Sequence, residues 1–163
     1  MSKVQHDSET PAHGQQVIVA CAAIHRTVDD VPEIFMAQRS LVKKFYPGVF
    51  ELPGGHIDYG EDIRAGLKRE IREELGAEVE LGEPFSAFTY INDIKGAHTV
   101  EIAFFARFAP GSEWSLQPDD HSDARWFRQE QRDEYTVNRS PDDEESVVVQ
   151  RAFAILKGEP LRT

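Results

Sequence analysis

The sequence predicts an α/β fold. Three observations carry that expectation: β-branched and aromatic runs separated by turns containing Gly or Pro, one amphipathic helical segment over residues 62–75, and a second helical period over residues 143–158. The 163 residues, 40% of them hydrophobic, suit one compact core. The expected organisation is a flexible segment over residues 1–15, which is polar throughout, followed by a single domain over residues 16–160.

In chain order, "QVIVACAAI" (16–24) and "EIFMAQR" (33–39) read as strands, and "HRTVDDVP" between them reads as the turn of a hairpin. "VFEL" (49–52) is a short strand running into "PGGHIDYGED", a loop punctuated by Gly54, Gly55 and Gly60, with Glu61 or Asp62 opening a helix. "EPFSAFTYI" (83–91), "HTVEIAFFARF" (98–108) and "ARWF" (124–127) are further strands, with Gly96 and "PGSEW" as turns. The tail "DEESVVVQRAFAILKG" has a helical period and stops at Gly158 and Pro160.

Charge narrows the function. Eighteen basic against 29 acidic residues leave a net charge of −11, which argues against a nucleic-acid partner and against an anionic membrane. An anionic ligand would need a cation or a local basic pocket. Cys21 is the only cysteine, so neither an intramolecular disulfide nor a cysteine zinc site is available. The N-terminal stretch lacks the apolar core of a signal peptide, and no apolar run approaches membrane-spanning length. A cytoplasmic protein is expected, and a homodimer stays open.

The segment "KREIREELG" (68–76) crowds Glu70, Glu73 and Glu74 together. Helix positions three and four apart are surface neighbours, so these like charges repel at about 0.2 to 0.5 kcal/mol per pair. Ile63, Leu67, Ile71 and Leu75 define the buried stripe, and the glutamates overlap or adjoin it, whereas Arg64, Lys68 and Arg72 lie away. A carboxylate at a core edge must be paired or bound to a metal. Arg69 can pair with Glu73 but cannot neutralise all three. Mg²⁺ or Mn²⁺ would suit such oxygen donors, and on the helix alone the metal and structural readings stand level.

The wider pattern resembles a family. "GHIDYGEDIRAGLKREIREELGA" (55–77) places Gly55, Glu61, Arg69, Glu70, Ile71, Glu73, Glu74 and Gly76 at the fixed positions of the Nudix box. Ala77 departs, being smaller than the usual aliphatic residue, and Gly66 stands where Ala is frequent. The likeness continues in "MAQRS", "FELPGG" and "DHSDARWF", so it spans roughly residues 17–127. It implies a Nudix-type α/β/α sandwich with a mixed sheet, and a hydrolase that cleaves a diphosphate linkage in a nucleoside diphosphate derivative with Mg²⁺ or Mn²⁺. By the same resemblance, Glu70 and Glu74 are metal ligands, Glu73 is a ligand or orients water, and the Gly55 carbonyl completes the site. Arg69 orients Glu73, and Glu61 supports the loop and helix.

Outside the box, Glu101 is either an extra ligand or general base, or one half of a strand-edge salt bridge. Arg39 either contacts a phosphate or caps the sheet, and Gly54 lets backbone approach the substrate. Phe45, Tyr46, Phe88 and Tyr90 could stack a base or simply fill the core. His56, His98 and His121 have no ligand spacing and read as polar loop residues, as do Asp120 and Asp123. Asn92, Asp93 and Ile94 occupy the region where ADP-ribose and dinucleoside polyphosphate hydrolases carry their Pro and Tyr markers, so neither marker is met. The general form, with "AQR" before "PGG" and "RWF" after, resembles the nucleoside-triphosphate and sanitising branches of the family, which implies a nucleoside triphosphate or related nucleotide, a small-molecule substrate. Two other classes stay open: a nucleotide-sensing module without turnover, and a relative of isopentenyl-diphosphate isomerase, for which Cys21 would have to be catalytic.

Overall fold

The structure, a computed structural model, describes residues 11–160. Of the expected N-terminal segment, residues 1–10 lie outside the described residues. Within the remainder, the amide of Ala12 donates to Lys95 O at 2.8 Å and that of Gly14 to Gly96 O at 2.7 Å.

Seven strands form a mixed sheet: β1 (Gln16–Val28), β2 (Val31–Arg39), β3 (Phe50–Glu51), β4 (Gly54–His56), β5 (Val79–Asn92), β6 (Ala97–Phe108) and β7 (His121–Phe127). Its main path runs β3-β2-β1-β6-β5, with β4 also paired to β1 and β7 to β2. The first half of β1 runs parallel to β6, with Val19 opposite Glu101, and its second half forms an antiparallel hairpin with β2. That hairpin is longer than the sequence suggests. Only Asp29 and Asp30 turn the chain, both at positive φ (50° and 61°), the two-residue geometry that matches strand twist and that Asp tolerates.

Helix α1 (Ile63–Leu75) covers one face of the sheet and α3 (Glu144–Leu156) the other; between β7 and α3 lies the short α2 (Arg132–Tyr135). Alternate residues of β1 therefore point into different cores. Ala20, Ala22 and Ile24 meet Leu67, Ile71 and Leu75 of α1, while Cys21 and Ala23 meet Val149, Ala152 and Phe153 of α3. Burial on both faces explains why "VACAAI" is continuously apolar. The α/β/α layering agrees with the sequence expectation. No helix among the described residues is long and apolar enough to cross a membrane.

Both long helices begin on a carboxylate cap. Asp62 Oδ1 accepts the Ala65 N–H at 2.9 Å, and Asp143 Oδ1 accepts that of Ser146 at 2.9 Å. Helix α1 ends at Gly76 in the left-handed conformation (φ 61°), its N–H donating to Arg72 O. Its mid-helix glycine has a packing reason. A Cβ on Gly66 would sit 2.6 Å from Glu61 Oε1 and 2.8 Å from Ile57 Cδ1, and Glu61 is pinned where it lies by Arg69. Helix propensity alone favours Ala over Gly by about 1 kcal/mol. Gly66→Ala is nevertheless expected to lower the melting temperature, because the Glu61 carboxylate must move off its guanidinium; a rise on thermal melting would contradict this packing argument.

Candidate active site

The strand β4 was hidden in the sequence by its glycines. Gly54 and Gly55 pair with Cys21 and Ala20 of β1 at a separation only glycine allows: a Cβ on Gly54 would sit 2.7 Å from the Cys21 Cα, and one on Gly55 would collide with the Glu70 carboxyl group. The two glycines thus bring β4 against β1 and let the Glu70 carboxyl rest on the strand.

Arg69 organises the acidic end of α1. Its Nε and Nη2 grip Glu61 at 2.7 and 2.9 Å, Nη1 reaches Glu70 at 2.9 Å and Glu73 at 3.2 Å, and Nη2 also donates to the His56 carbonyl at 3.0 Å. The i,i+4 pair expected from the sequence is therefore one contact among several. Glu61 in turn accepts the Asp58 N–H at 3.0 Å, which ties the loop to the helix. Glu74 lies beyond this guanidinium's contacts and, among the described residues, accepts a long bond of 3.3 Å from the Gly54 amide.

Arg69, Glu70, Glu73 and Glu74 line one cavity of about 760 Å³ together with Gly54, Gly55, Arg39 and Glu101, so the structure brings the residues predicted for metal, substrate and catalysis to one cavity, while Glu61 stands behind Arg69 outside the lining. It also brings Glu51, Arg139 and Glu145, which the sequence did not single out, and His121, which the sequence reads as a polar loop residue. His121 is a strand residue, 2% exposed, with Nε2 2.8 Å from Glu51 Oε1, rather than a polar loop residue. His56 is likewise buried, on β4, with Nε2 3.3 Å from Lys95 Nζ. Glu145, near the start of α3, accepts the Leu52 amide at 2.6 Å and pairs with Arg139 at 2.9 Å. Arg39 donates from Nε to Phe45 O at 2.8 Å and lies 3.3 Å from Glu51. Asp120 pairs with Lys43 at 2.9 Å and Asp123 with Arg125 at 2.8 Å.

Twelve acidic but only four basic side chains line this cavity, and each of the four, Arg39, Lys43, Arg69 and Arg139, is already paired with a carboxylate. The electrostatic consequence is visible in the carboxyls themselves. Burial pushes Glu70 up to about 7, with repulsion from Glu73 and Asp58 adding to it and Arg69 opposing it. Burial raises Glu74 well above the carboxylate range, and the charges of Glu51 and Glu70 add to that. Glu101 rises to about 8 through burial and repulsion from Glu145 and Glu51, against hydrogen bonds from Cys21 and Tyr90. Glu51 behaves oppositely: although burial disfavours its charge, Arg39 and His121 hold it down at about 2.

This donor set fits a hard divalent cation, since oxygen ligands carrying surplus negative charge are what Mg²⁺ and Mn²⁺ favour. Among the described residues, no three His, Cys, Asp or Glu side chains are already gathered as a coordination site. Glu70 and Glu73 are turned instead to Arg69.

A family model for the NUDIX domain matches residues 15–152. The chain is 32% identical over 91 residues to an NAD-capped RNA hydrolase NudC of Stutzerimonas stutzeri, a match covering 52% of this chain and 29% of that protein. It is 28% identical over 116 residues to a putative nudix hydrolase 1 of Caenorhabditis elegans, covering 71% of this chain and 30% of that one. The chain thus spans less than a third of the length of either relative. Among solved structures, a MutT NUDIX hydrolase from Burkholderia pseudomallei aligns with a TM-score of 0.58 at 30% identity, over 70% of this chain and 84% of its own. A C. elegans Ap4A hydrolase shares the fold with a TM-score of 0.69 at 22% identity, over 87% and 98% of the two chains.

The raised carboxyls have a consequence for stability. Glu70 and Glu101 bind protons more tightly in the folded chain than at their ordinary value of 4.5, so between pH 4.5 and about 8 the folded state holds more protons than the unfolded one. Stability from these groups is complete below 4.5 and is lost as pH rises through 7 to 8. Glu51 acts only below 4.5, where its stabilisation fades towards pH 2. In EDTA, the melting temperature is expected to fall from pH 5.5 to pH 8.5, and added Mg²⁺ or Mn²⁺ should flatten the slope. A melting temperature that climbs over this range in EDTA would contradict the assignment.

Proposed function

The chain belongs to the Nudix family, and from that membership we propose that it is a metal-dependent pyrophosphohydrolase acting on a nucleoside triphosphate or a related nucleoside diphosphate derivative. The observation that carries the reading is the cavity's charge: with twelve acidic side chains against four paired basic ones, an anionic diphosphate can enter only with its charge neutralised by added cations. The net charge of −11 favours a small nucleotide over a nucleic acid, although the NudC relatives are named for capped RNA. The match over residues 15–152 supports one domain across residues 16–160, and a cytoplasmic location is part of the same reading.

In this mechanism Glu70, Glu74, the Gly55 carbonyl and Glu73 hold Mg²⁺ or Mn²⁺, which when bound neutralises the diphosphate and acidifies water. A water oxygen adds to one phosphorus, the bridging P–O bond breaks, and the displaced phosphate leaves with the bridging oxygen. Glu73 is the most exposed of the three glutamates, its side chain 56% accessible, which suits it to orient water and take its proton at Oε1, while Arg69 holds Oε2. Glu61 and Arg69 act by positioning, keeping the α1 glutamates against β4. Arg39 and the Gly54 amide face the phosphates from β2 and β4. An isomerase of the isopentenyl-diphosphate class finds no support, because Cys21 is 1% exposed and burial pushes its thiol well up.

A panel of nucleoside triphosphates and nucleoside diphosphate derivatives with Mg²⁺ or Mn²⁺, scored for phosphate, pyrophosphate and nucleoside monophosphate, tests the reading. Turnover is expected only with the metal, and undiminished turnover in excess EDTA would remove it from the mechanism. Glu70→Gln and Glu74→Gln should melt at or above the parent temperature, since each relieves repulsion, yet lose roughly 10² to 10⁴ in kcat. Variants that melt early while their folded fraction keeps full activity would make the cluster structural.

A further inference from the structure

The cavity reaches beyond the α1 glutamates to the other face of the sheet. Glu101 sits opposite Val19 on β1 and opposite Phe88 on β5, and Tyr90 lies opposite Thr99, two residues along β6 from Glu101. In a sheet, directly paired residues and those two apart share a face. Glu101, Phe88, Tyr90 and Cys21 therefore all lie on the α3 side, with Phe88 and Cys21 in the core packed against that helix. The Tyr90 hydroxyl accepts from Thr99 and donates to Glu101, and Cys21 donates to Glu101 as well. The strongest charge repulsions on Glu101 come from Glu145 and Glu51, whereas Glu70 feels Glu73 and Asp58. Among the described residues no cation pairs with it, so the strand-edge salt bridge is absent from β6, which is an interior strand.

Aromatic rings wall this part of the cavity. Tyr90 lies nearly parallel to Phe45, at 15° with centroids 6.1 Å apart, and to Phe88, at 29° and 6.0 Å. Phe45 is fixed by Arg39, which donates to its carbonyl and places its guanidinium carbon 6.0 Å from the ring. One buried side chain of the lining has an unmet polar atom: His121 Nδ1, on a side chain 2% exposed, has no hydrogen-bond partner among the described residues, whereas Arg139 Nε lies 3.4 Å from Asp143 Oδ2 in an ion pair. Ring faces beside an acid that no cation pairs with match a flat, heteroatom-edged ligand better than they match phosphate, which the neighbouring acids Glu51 and Glu145 repel.

We propose that Phe45, Phe88, Tyr90 and Glu101 form a nucleobase subsite, with the base against the aromatic rings and its edge read by Glu101. The proposal rests on the hydrolase reading for its ligand class, and it assigns Glu101 to specificity instead of metal binding or proton transfer. Held protonated by its burial, Glu101 offers an O–H donor beside a carbonyl acceptor. That pair complements a ring nitrogen next to an exocyclic amine, the edge adenine presents; guanine offers two adjacent donors there, which an ionised carboxylate would suit.

Hydrolysis-resistant probes separate the base from the phosphates. The α,β-methylene analogues of ADP and GDP and base-free methylene diphosphonate share one P–C–P group, so their calorimetric affinities in Mg²⁺ differ by what the base adds. The adenine analogue is expected to bind about tenfold to a hundredfold more tightly than the base-free probe and more tightly than the guanine analogue. Glu101→Gln should erase the preference between bases, and Phe45→Leu should bring both nucleoside analogues towards the base-free level. Should Glu101→Gln fail to fold, the Phe45 variant, on a loop at the cavity mouth, carries the test. Nucleoside analogues that bind no better than methylene diphosphonate would overturn the subsite, as would a guanine preference or an equal loss across all three probes in Glu101→Gln, the signature of a metal ligand. A parent protein inert on the substrate panel yet still base-selective here would sink the hydrolase reading and leave the subsite standing.

Discussion

One guanidinium sets the arrangement on which the acidic end of α1 depends. Arg69 touches Glu61, Glu70, Glu73 and the His56 carbonyl at once, and without it two carboxylates of α1 and one from the loop before it would face one another across a partly buried surface. Its fork is rigid and its charge permanent, so it can hold two oxygens of Glu61 while still reaching the helix glutamates, which a lysine could not do. The glycines follow from the same contact. Glu61 can lie over α1 only because residue 66 has no side chain, and Glu70 can lie over β4 only because residue 55 has none. A local salt-bridge network thus dictates backbone identity at two positions on different elements.

The acids of the cavity fall into two chemical groups. Glu70 and Glu73 on α1 are held by Arg69, and a shortfall in positive charge, felt most by Glu74, remains after that arginine has made its contacts. Glu51, Glu101 and Glu145 come from β3, β6 and α3 and share Arg39, His121 and Arg139 unequally. Glu51 takes most of the compensation and stays ionised, while Glu101, with hydrogen bonds but no cation, keeps its proton. Neighbouring acids driven apart in this way take different chemical roles, one as a fixed charge and one as a neutral donor.

What was legible in the sequence was what is local. Glu70, Glu73, Glu74, Arg69 and the glycines lie within one helix and its lead-in, so spacing alone brought them together, and the period of α1 showed that the acids adjoin the buried stripe. Apolar, β-branched and aromatic runs located β1, β2, β5 and β6, although each of β1 and β5 runs further than its apolar residues. The strand β4 escaped because its glycines carry no β-branched or aromatic signal, and α2 because a four-residue helix has no period to read. Glu51, His121, Arg139 and Glu145 were invisible as a group: they are far apart in sequence and meet only because β2 pairs with both β3 and β7 while the start of α3 docks on the end of β3, where Glu145 accepts the Leu52 amide. Glu145 in particular reads as an ordinary acid in the first turn of a helix, where the helix dipole favours it anyway.

Pairing every basic side chain of the cavity with an acid has a functional logic. A free arginine or lysine among twelve carboxylates would be drawn to whichever acid lay nearest, collapsing the space a substrate must enter; fixed in salt bridges, these cations serve as walls. They are also poor counterions for a diphosphate, because each would have to leave a carboxylate uncompensated to bind one, a loss that grows with burial. The cavity is accordingly matched to a ligand that brings cations with it, and it disfavours the same ligand without them. The cost falls on the metal-free fold, which carries buried carboxylates partly protonated at neutral pH, and the offset comes from the two apolar cores on either side of β1, where Ile71 and Phe153 are fully buried.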